Sequence, residues 1–476
     1  MSDPALTEAA IEGSAPPRLR DALRASLRGD RYDYTTGPVG RAVLLLAVPM
    51  VLEMAMESVF AVCDIFFVGR LGASAVATVG LTESLLSIVY TLAMGVAIAA
   101  TAIVARRIGE RDEIGAGKAA GQSLLIGLAV AIVLGVIGVT FAPRLLAMMG
   151  AGGDILAVGS TYSRIMIGGS AVIIFLFLIN AIFRGAGDPA IAMRVLWLAN
   201  GINILLGPCL IFGLGPFPKM GVTGAATATT IGRGIGALFA LSRLVLGKGR
   251  IQAHLRDLTP DRELLARLLR LAASGTGQII IGTASWIALV RITSLFGSDA
   301  LAGYTIGIRI LLFALLPSFG MSNAAATMVG QALGAGDPER AKQAAWTAGK
   351  YNLVALGAVA VIFVVFAHPL AWLFSNDPVV IGHAASCLRI VALGFPLYAF
   401  GMVFTQAFNG AGDTTTPTWL NFIVFWLWEI PLAWLLATVF HLGPEGVFVS
   451  IAVAFSTLAI ASGVLFQRGK WATRRV

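Results

Sequence analysis

Three carboxylates stand in one apolar run near the start of the chain: Glu53, Glu57 and Asp64, within Val48-Pro49-Met50-Val51-Leu52-Glu53-Met54-Ala55-Met56-Glu57-Ser58-Val59-Phe60-Ala61-Val62-Cys63-Asp64. On a helix, at ~100° per residue, these positions fall within about 40° of one another, with Asp64 ~16 Å further along than Glu53. Acids this close in a low dielectric cannot all stay ionised without cations. Such a stripe suits uptake and release of H+, or binding of Na+ where neutral oxygens complete the shell. The next apolar run adds Glu83. The same acids would also suit a structural network that satisfies Arg164 or Arg233, because buried ion pairs collect in the same way.

The second half of the chain is poor in acids. Its first apolar run carries Gln278 and Arg291, the next carries Arg309, and the eleventh run of the chain carries Glu429. These residues suit either a polar set facing a substrate or a pair that couples two lobes. Glu429 stands among Trp426, Trp428 and Trp434. That setting could receive a cation by contact with aromatic faces, although such rings also serve as packing or as an interfacial belt.

The elements that position these groups follow from composition. Of 476 residues, 57% are hydrophobic and 12% charged, with a mean hydropathy of +0.85. A soluble domain is about a quarter charged, so most of this surface does not face water. Disorder, a nucleic-acid-binding domain and a secreted disulfide scaffold are excluded. The three cysteines, Cys63, Cys209 and Cys387, lie in separate apolar stretches. A span needs ~20 apolar residues. Suitable runs fall near 42–68, 75–105, 118–142, 155–183, 190–213 and 221–246, then 264–296, 300–331, 343–367, 379–409, 416–439 and 446–466. The expected fold is an all-α polytopic membrane protein of twelve spans.

Twelve spans put both termini on one side. Basic residues gather in alternate segments: the N-terminal arginines, Arg106, Arg107, Arg111 and Lys118, then Lys248, Arg250, Arg256 and Arg262, then Arg340, Lys342 and the C-terminal cluster. The opposite loops offer Arg70, Arg144 and Lys219. This bias predicts cytoplasmic termini and accounts for the net charge of +9 without nucleic acid. Residues 1–41 read as a polar tail without a removable signal peptide, and Ala22 to Leu27 as a short surface helix. Residues 247–263, with Pro260, read as a linker, and 467–476 as a second tail.

The chain also repeats itself. At an offset of 225, Phe183-Arg184-Gly185-Ala186-Gly187-Asp188 falls on Phe408-Asn409-Gly410-Ala411-Gly412-Asp413. In the same register Gly95 meets Gly320, Gly109 meets Gly334 and Asp112 meets Asp337. The lobes 42–246 and 264–466 each hold six spans, so they are parallel repeats. That architecture belongs to transporters whose lobes rock about a central site. The two Gly-Ala-Gly-Asp loops read as tight turns, with Gly supplying positive φ and Asp capping the next helix.

Enzymatic signatures are missing. There is no G-x-x-x-x-G-K-[ST], H-E-x-x-H or G-x-S-x-G, and His254, His368, His383 and His441 are scattered. A cofactor, a metal centre and catalysis are not expected, so energy must come from an ion gradient or another chain.

Asp64-Ile65-Phe66-Phe67-Val68-Gly69-Arg70-Leu71-Gly72 resembles the first-helix signature of the multidrug and toxic compound extrusion (MATE) family. Phe183 to Pro189, Pro208 to Gly213 and Val329 to Gly336 are similar to further motifs of that family, in order, over about residues 40–466. The resemblance implies two six-helix lobes in a V, rocker-switch access, and export of organic compounds against inward H+ or Na+. It places the first-helix acid at Asp64 and the fifth-helix amide at Asn203, with Asn200 an extra amide one turn earlier. Four residues beyond Asn203, where relatives often carry Asp or Asn, stands Gly207. Glu53 and Glu57 are then candidates to supply the missing oxygens, and coupling by protons through the first lobe is favoured. The expected protein is an inner-membrane antiporter of cationic or amphipathic compounds, one chain surrounded by lipid. An exporter of an anionic metabolite using Arg291 and Arg309, and a flippase for a lipid-linked saccharide, are the competing functions.

Overall fold

The computed structural model describes residues 19–247 and 249–474, so the tail up to Arg18, Lys248 of the linker and Arg475 lie outside the described residues. Among the described residues there is no strand. A short helix α1 (Leu19–Arg28) precedes the spans α2 (Val39–Gly69), α3 (Ala73–Gly109) and α4 (Glu113–Met148). The fourth span breaks at Gly169 into α5 (Gly153–Gly168) and α6 (Ser170–Ala186) and is followed by α7 (Pro189–Phe212) and α8 (Val222–Leu246). The second lobe holds α9 (Arg262–Thr293), α10 (Ser298–Gly334) and α11 (Pro338–Trp372). Its fourth span bends by 61° between α12 (Pro378–Ala392) and α13 (Phe395–Gly410), before α14 (Thr415–Val439) and α15 (Pro444–Gln467). Among the described residues eleven helices are long and apolar enough to cross a membrane, and the bent pair, taken as one span, makes twelve.

Local chemistry sets the ends of these helices. Asp112, Asp337 and Asp377 accept backbone N–H bonds at 2.8 Å from Gly115, Arg340 and Val379, satisfying donors that a first helical turn leaves free. The paired turns have Gly187 and Gly412 both at φ +82°. Only one of the two expected aspartate caps forms. Asp413 accepts from Thr416 N at 3.4 Å and from the Thr416 hydroxyl at 2.6 Å. Asp188 makes no cap; its carboxylate accepts instead from Arg250 N at 3.1 Å.

The lobes interlock. Ala42, Leu45, Leu46, Ala47 and Met50, in the first half of α2, are buried with Met321, Ala324, Ala325 and Met328 of α10. Reciprocally, Leu268 and Ala272 of α9 are buried with Val96, Ala99 and Ala100 of α3. Small residues make this possible, since backbones in a membrane associate by close packing rather than by escape from water. A methyl on Gly320 would lie 2.5 Å from Met50 O, and one on Gly95 would overlap Thr276 of α9. At the ends of α3 and α10, Gly109 packs on the Gln331 backbone and Gly334 on Arg106 O. At the other ends Gly72, Gly80 and Gly297 have open space. The lobes meet at one face and part toward the other, giving the V. Exposed apolar stripes such as Ile132, Val136 and Val139 on α4, matched by Val361, Val364 and Val365 on α11, are left for lipid.

The segment before α2 is part of this closed face. Pro49 leaves the Leu45 carbonyl without its helical donor, and the buried Ser26 hydroxyl of α1 donates to it. Residues 29–38 are strapped across both lobes. The Arg340 guanidinium donates to Tyr34 O, Thr36 O and Gly37 O at 2.7–3.0 Å, while Arg250 donates to Tyr32 O and stacks on Tyr34.

The linker is docked as well. Gln122 of α4 donates to Asp257 O at 2.7 Å and Thr259 O at 2.8 Å, and accepts from Asp261 N at 3.0 Å. Removing it orphans three backbone groups, each worth about 1–3 kcal/mol if left unpaired. Gln122→Ala should therefore raise the rate of tryptic cleavage at Arg256 and Arg262 in the purified protein. Unchanged cleavage would show that other contacts hold the linker.

Candidate transport cavity and its charge network

The acidic stripe of α2 faces α6, α7 and α8, and each of those helices brings a partner. Glu53 is 1% exposed. Its Oε1 accepts from Arg184 Nη1 at 2.7 Å and from Asn180 Nδ2 at 3.4 Å. Asn180 and Arg184 are one turn apart on α6 and so share a face. One turn along α2, Glu57 Oε2 accepts from Asn200 Nδ2 at 2.9 Å, and Oε1 accepts from Arg233 Nη2 at 3.3 Å. Arg233, 4% exposed on α8, also donates to Tyr90 Oη at 2.5 Å. Its guanidinium carbon lies 5.3 Å from the Phe60 ring centroid and 5.7 Å from that of Tyr90.

Asp64 is half-buried, forms no hydrogen bond or ion pair among the described residues, and lies within electrostatic reach of Arg233. Glu83 is exposed and within reach of both Asp64 and Arg309. Asn203 turns away from the stripe and donates to Thr229 Oγ1 at 2.7 Å. Of these two α7 amides, Asn200 is the one that reaches an acid. Of the two cations considered from sequence, Arg233 pairs with Glu57, whereas Arg164 is exposed and pairs with no acid among the described residues.

A cavity of about 440 Å³ opens between the lobes. Glu53, Glu57, Tyr90 and Arg184 line one wall, Gln278, Asn323 and Asn409 the other, and Met94, Phe177 and Phe319 supply apolar surface. At the repeat offset of 225, Gln278 stands where the first lobe has Glu53, and Asn409 where it has Arg184. One wall thus carries an ion pair, and the same two positions of the other carry amides. Buried acceptors around this space have no partner: Glu53 Oε2, Asn180 Oδ1, Gln278 Oε1 and Asn409 Oδ1. The site can receive hydrogen-bond donors and positive charge.

Arg291 and Arg309 are exposed and do not line this cavity. Glu429 is 2% exposed, within the second lobe and in reach of Tyr304 and Tyr398. Trp426, Trp428 and Trp434 are exposed, as the belt reading has them, on a helix that runs as a π-helix over Phe422–Glu429 and Leu435–Val439, a winding with a different angular spacing of side chains. Sequence reasoning missed Arg184, treating it as part of a turn. Its signal was present: a cation four residues after an amide at the end of an apolar run, replaced by Asn409 in the repeat where Glu53 becomes Gln278. Among the described residues, no group of His, Cys, Asp and Glu is arranged to hold a metal ion.

Two interlocked six-span lobes around a charged cavity define a multi-pass membrane transporter. Residues 49–209 and 277–435 match the MatE family model, and the chain belongs to that family of multidrug and toxic compound extrusion proteins. It is 26% identical over 438 residues to "Probable multidrug resistance protein NorM" of Thermotoga maritima, covering 92% of this chain and 94% of that protein. It is also 26% identical over 439 residues to the "FAD transporter" of Shewanella oneidensis, covering 92% and 97%. The structure "Outward-facing conformation of a multidrug resistance MATE family transporter of the MOP superfamily" superposes with a TM-score of 0.86 at 27% identity, covering 97% of this chain and all of that one. The chain is a secondary transporter that exports small molecules, not an enzyme.

Proposed function

We propose that this protein exports small organic cations with an apolar body in exchange for inward protons. Its two lobes rock about the contacts at Gly95 and Gly320. The observation that carries this reading is the cavity, with two carboxylates, four unpartnered acceptors and aromatic walls. A ligand bearing N–H donors and positive charge meets those acceptors, while the one cation on the cavity wall, Arg184, is already held by Glu53. Protons are favoured over Na+ because the Arg233 guanidinium already occupies the space beside Glu57, and Gly207 offers no side-chain oxygen. No cofactor is invoked. Basic segments on the closed face favour a cytoplasmic position for that face and both termini, in a bacterial inner membrane. The cavity then opens outward in this structure, and one chain embedded in lipid is the working unit.

The test uses everted membrane vesicles holding an inside-acid pH gradient, to which a panel of cationic dyes, and then Na+ alone, is added. Wild type should dissipate the gradient on addition of dye, and Asp64→Asn should lose that response. A second reading rests on the FAD-transporter relative. If wild type ignores every cation but responds to a flavin dinucleotide, the cargo is anionic and the cationic assignment is wrong.

A further inference from the structure

Arg233 is a charge that the fold does not require. The repeat offset of 225 places Leu458 at its position in the second lobe, with Gly282 for Glu57, Ser285 for Phe60, Leu289 for Asp64 and Leu315 for Tyr90. The same six-helix architecture therefore stands without any of these groups, so the network serves something other than assembly.

Its geometry is that of a shared cation. Glu57, Phe60 and Asp64 follow one another at three- and four-residue spacings, which puts them along one side of α2. The guanidinium lies against the Phe60 ring at 5.3 Å, bonded to Glu57 on one side, with Asp64 in electrostatic reach. Arg233 Nε is buried and has no partner. The two carboxylates are ~10 Å apart along the helix, and a guanidinium can cross the ring face between them by rotamer changes while keeping its cation–π contact. Only one of the two acids can hold it at a time. Other titratable groups in its reach are Tyr90 from α3 and Tyr162 from α5, while Glu83 of α3 and, beyond it, Arg309 of α10 lie toward Asp64. The α6 cation, Arg184, is committed to Glu53, and α7 presents amides there.

We propose that Arg233 is a tethered cation passed between Glu57 and Asp64, making a proton on Asp64 and a cationic substrate on Glu57 mutually exclusive. When Asp64 is ionised it draws the guanidinium along the Phe60 ring, and Glu57, which lines the cavity, is left free for a cationic substrate. When a proton neutralises Asp64, the guanidinium returns to Glu57 and displaces the substrate's charge. The present structure, with Arg233 on Glu57 and Asp64 without a partner, is the proton-loaded, substrate-released arrangement. Two sites one guanidinium apart thereby acquire the negative coupling that antiport needs. Arg233 acts here as a positioning residue, and the inference rests on the proton-exchange reading above.

The test measures ethidium binding to the purified full-length protein in lipid nanodiscs, at about pH 6 and about pH 8, two conditions that bracket a coupling of about tenfold in affinity. Wild type should bind more tightly at the higher pH. Asp64→Asn should bind weakly at both, because Arg233 stays on Glu57. Arg233→Gln should bind tightly at both, and the double variant Asp64→Asn/Arg233→Gln should regain what Asp64→Asn lost. Arg233→Lys keeps a mobile charge and should keep the pH dependence, which separates relay from mere folding. A double variant as weak as Asp64→Asn, or an Arg233→Gln that keeps the wild-type pH dependence, overturns the relay and leaves cation export standing. Wild type that binds no ethidium at either pH overturns the export reading and the relay together.

Discussion

Arg184→Ala should cost about 3–5 kcal/mol of stability, because it leaves Glu53 charged and buried without its 2.7 Å partner. The purified variant should unfold at a clearly lower temperature than wild type and be recovered in lower yield. The repeat supplies the control. Glu53→Gln combined with Arg184→Asn turns the first-lobe wall into a copy of the second, where Gln278 and Asn409 occupy the same positions. That double variant should regain most of the lost stability, since removing both charges avoids the penalty of stranding one. It should nonetheless lose transport, because one cavity acid is gone. If the single variant proves as stable as the double, Glu53 carries a proton in this state and the ion pair contributes little.

Gly109→Leu should reduce transport more than tenfold while leaving insertion intact. The Gly109 position abuts the Gln331 backbone, and its repeat partner Gly334 packs against Arg106 O. A leucine there has only backbone to push against, at a cost of about 1–3 kcal/mol or more. Since about 1.4 kcal/mol changes a population ratio tenfold, the variant should disfavour the arrangement in which the closed face is sealed. A cysteine at the exposed Ser74, on the open end of α3, should then react more slowly with a membrane-impermeant maleimide. Gly80→Leu, at a position with open space, is the matched control and should transport like wild type. Equal transport by both variants would place the seal elsewhere.

Much of this architecture was legible in the residues. Apolar run lengths gave the span count, and the offset of 225 gave the two lobes, because both signals are local or purely sequential. The α2 stripe was legible for the same reason: helix geometry alone aligns Glu53, Glu57 and Asp64. What each acid touches was not. Glu57 and Arg233 are 176 residues apart, and only the packing of α8 against α2 decides that Arg233, and not Arg164, is the partner. Asn200 and Asn203 lie three residues apart, yet one reaches Glu57 and the other Thr229. A small difference in helix rotation separates those outcomes, and sequence periodicity does not resolve it. Around Glu429 the order of Trp426, Trp428 and Trp434 left their orientation open, and the π-helical stretches of α14 turn side chains at a different angle from an α-helix.

The interlocking of the lobes also sets a schedule for synthesis. The α2 surface around Met50 is completed by α10 residues from Met321 onward, which leave the ribosome about 270 residues later. At ~5–20 residues per second that is a wait of about 14–54 s. Throughout it, a helix carrying three carboxylates sits in the bilayer with half of its final neighbours unmade. The strap from Gly29 to Pro38 waits longer still, because Arg340 arrives after α10. Lipid, or an insertion chaperone, must cover that face in the interval. Premature stops or pauses between the two lobes should therefore yield fragments that quality-control proteases recognise by an unfinished first helix.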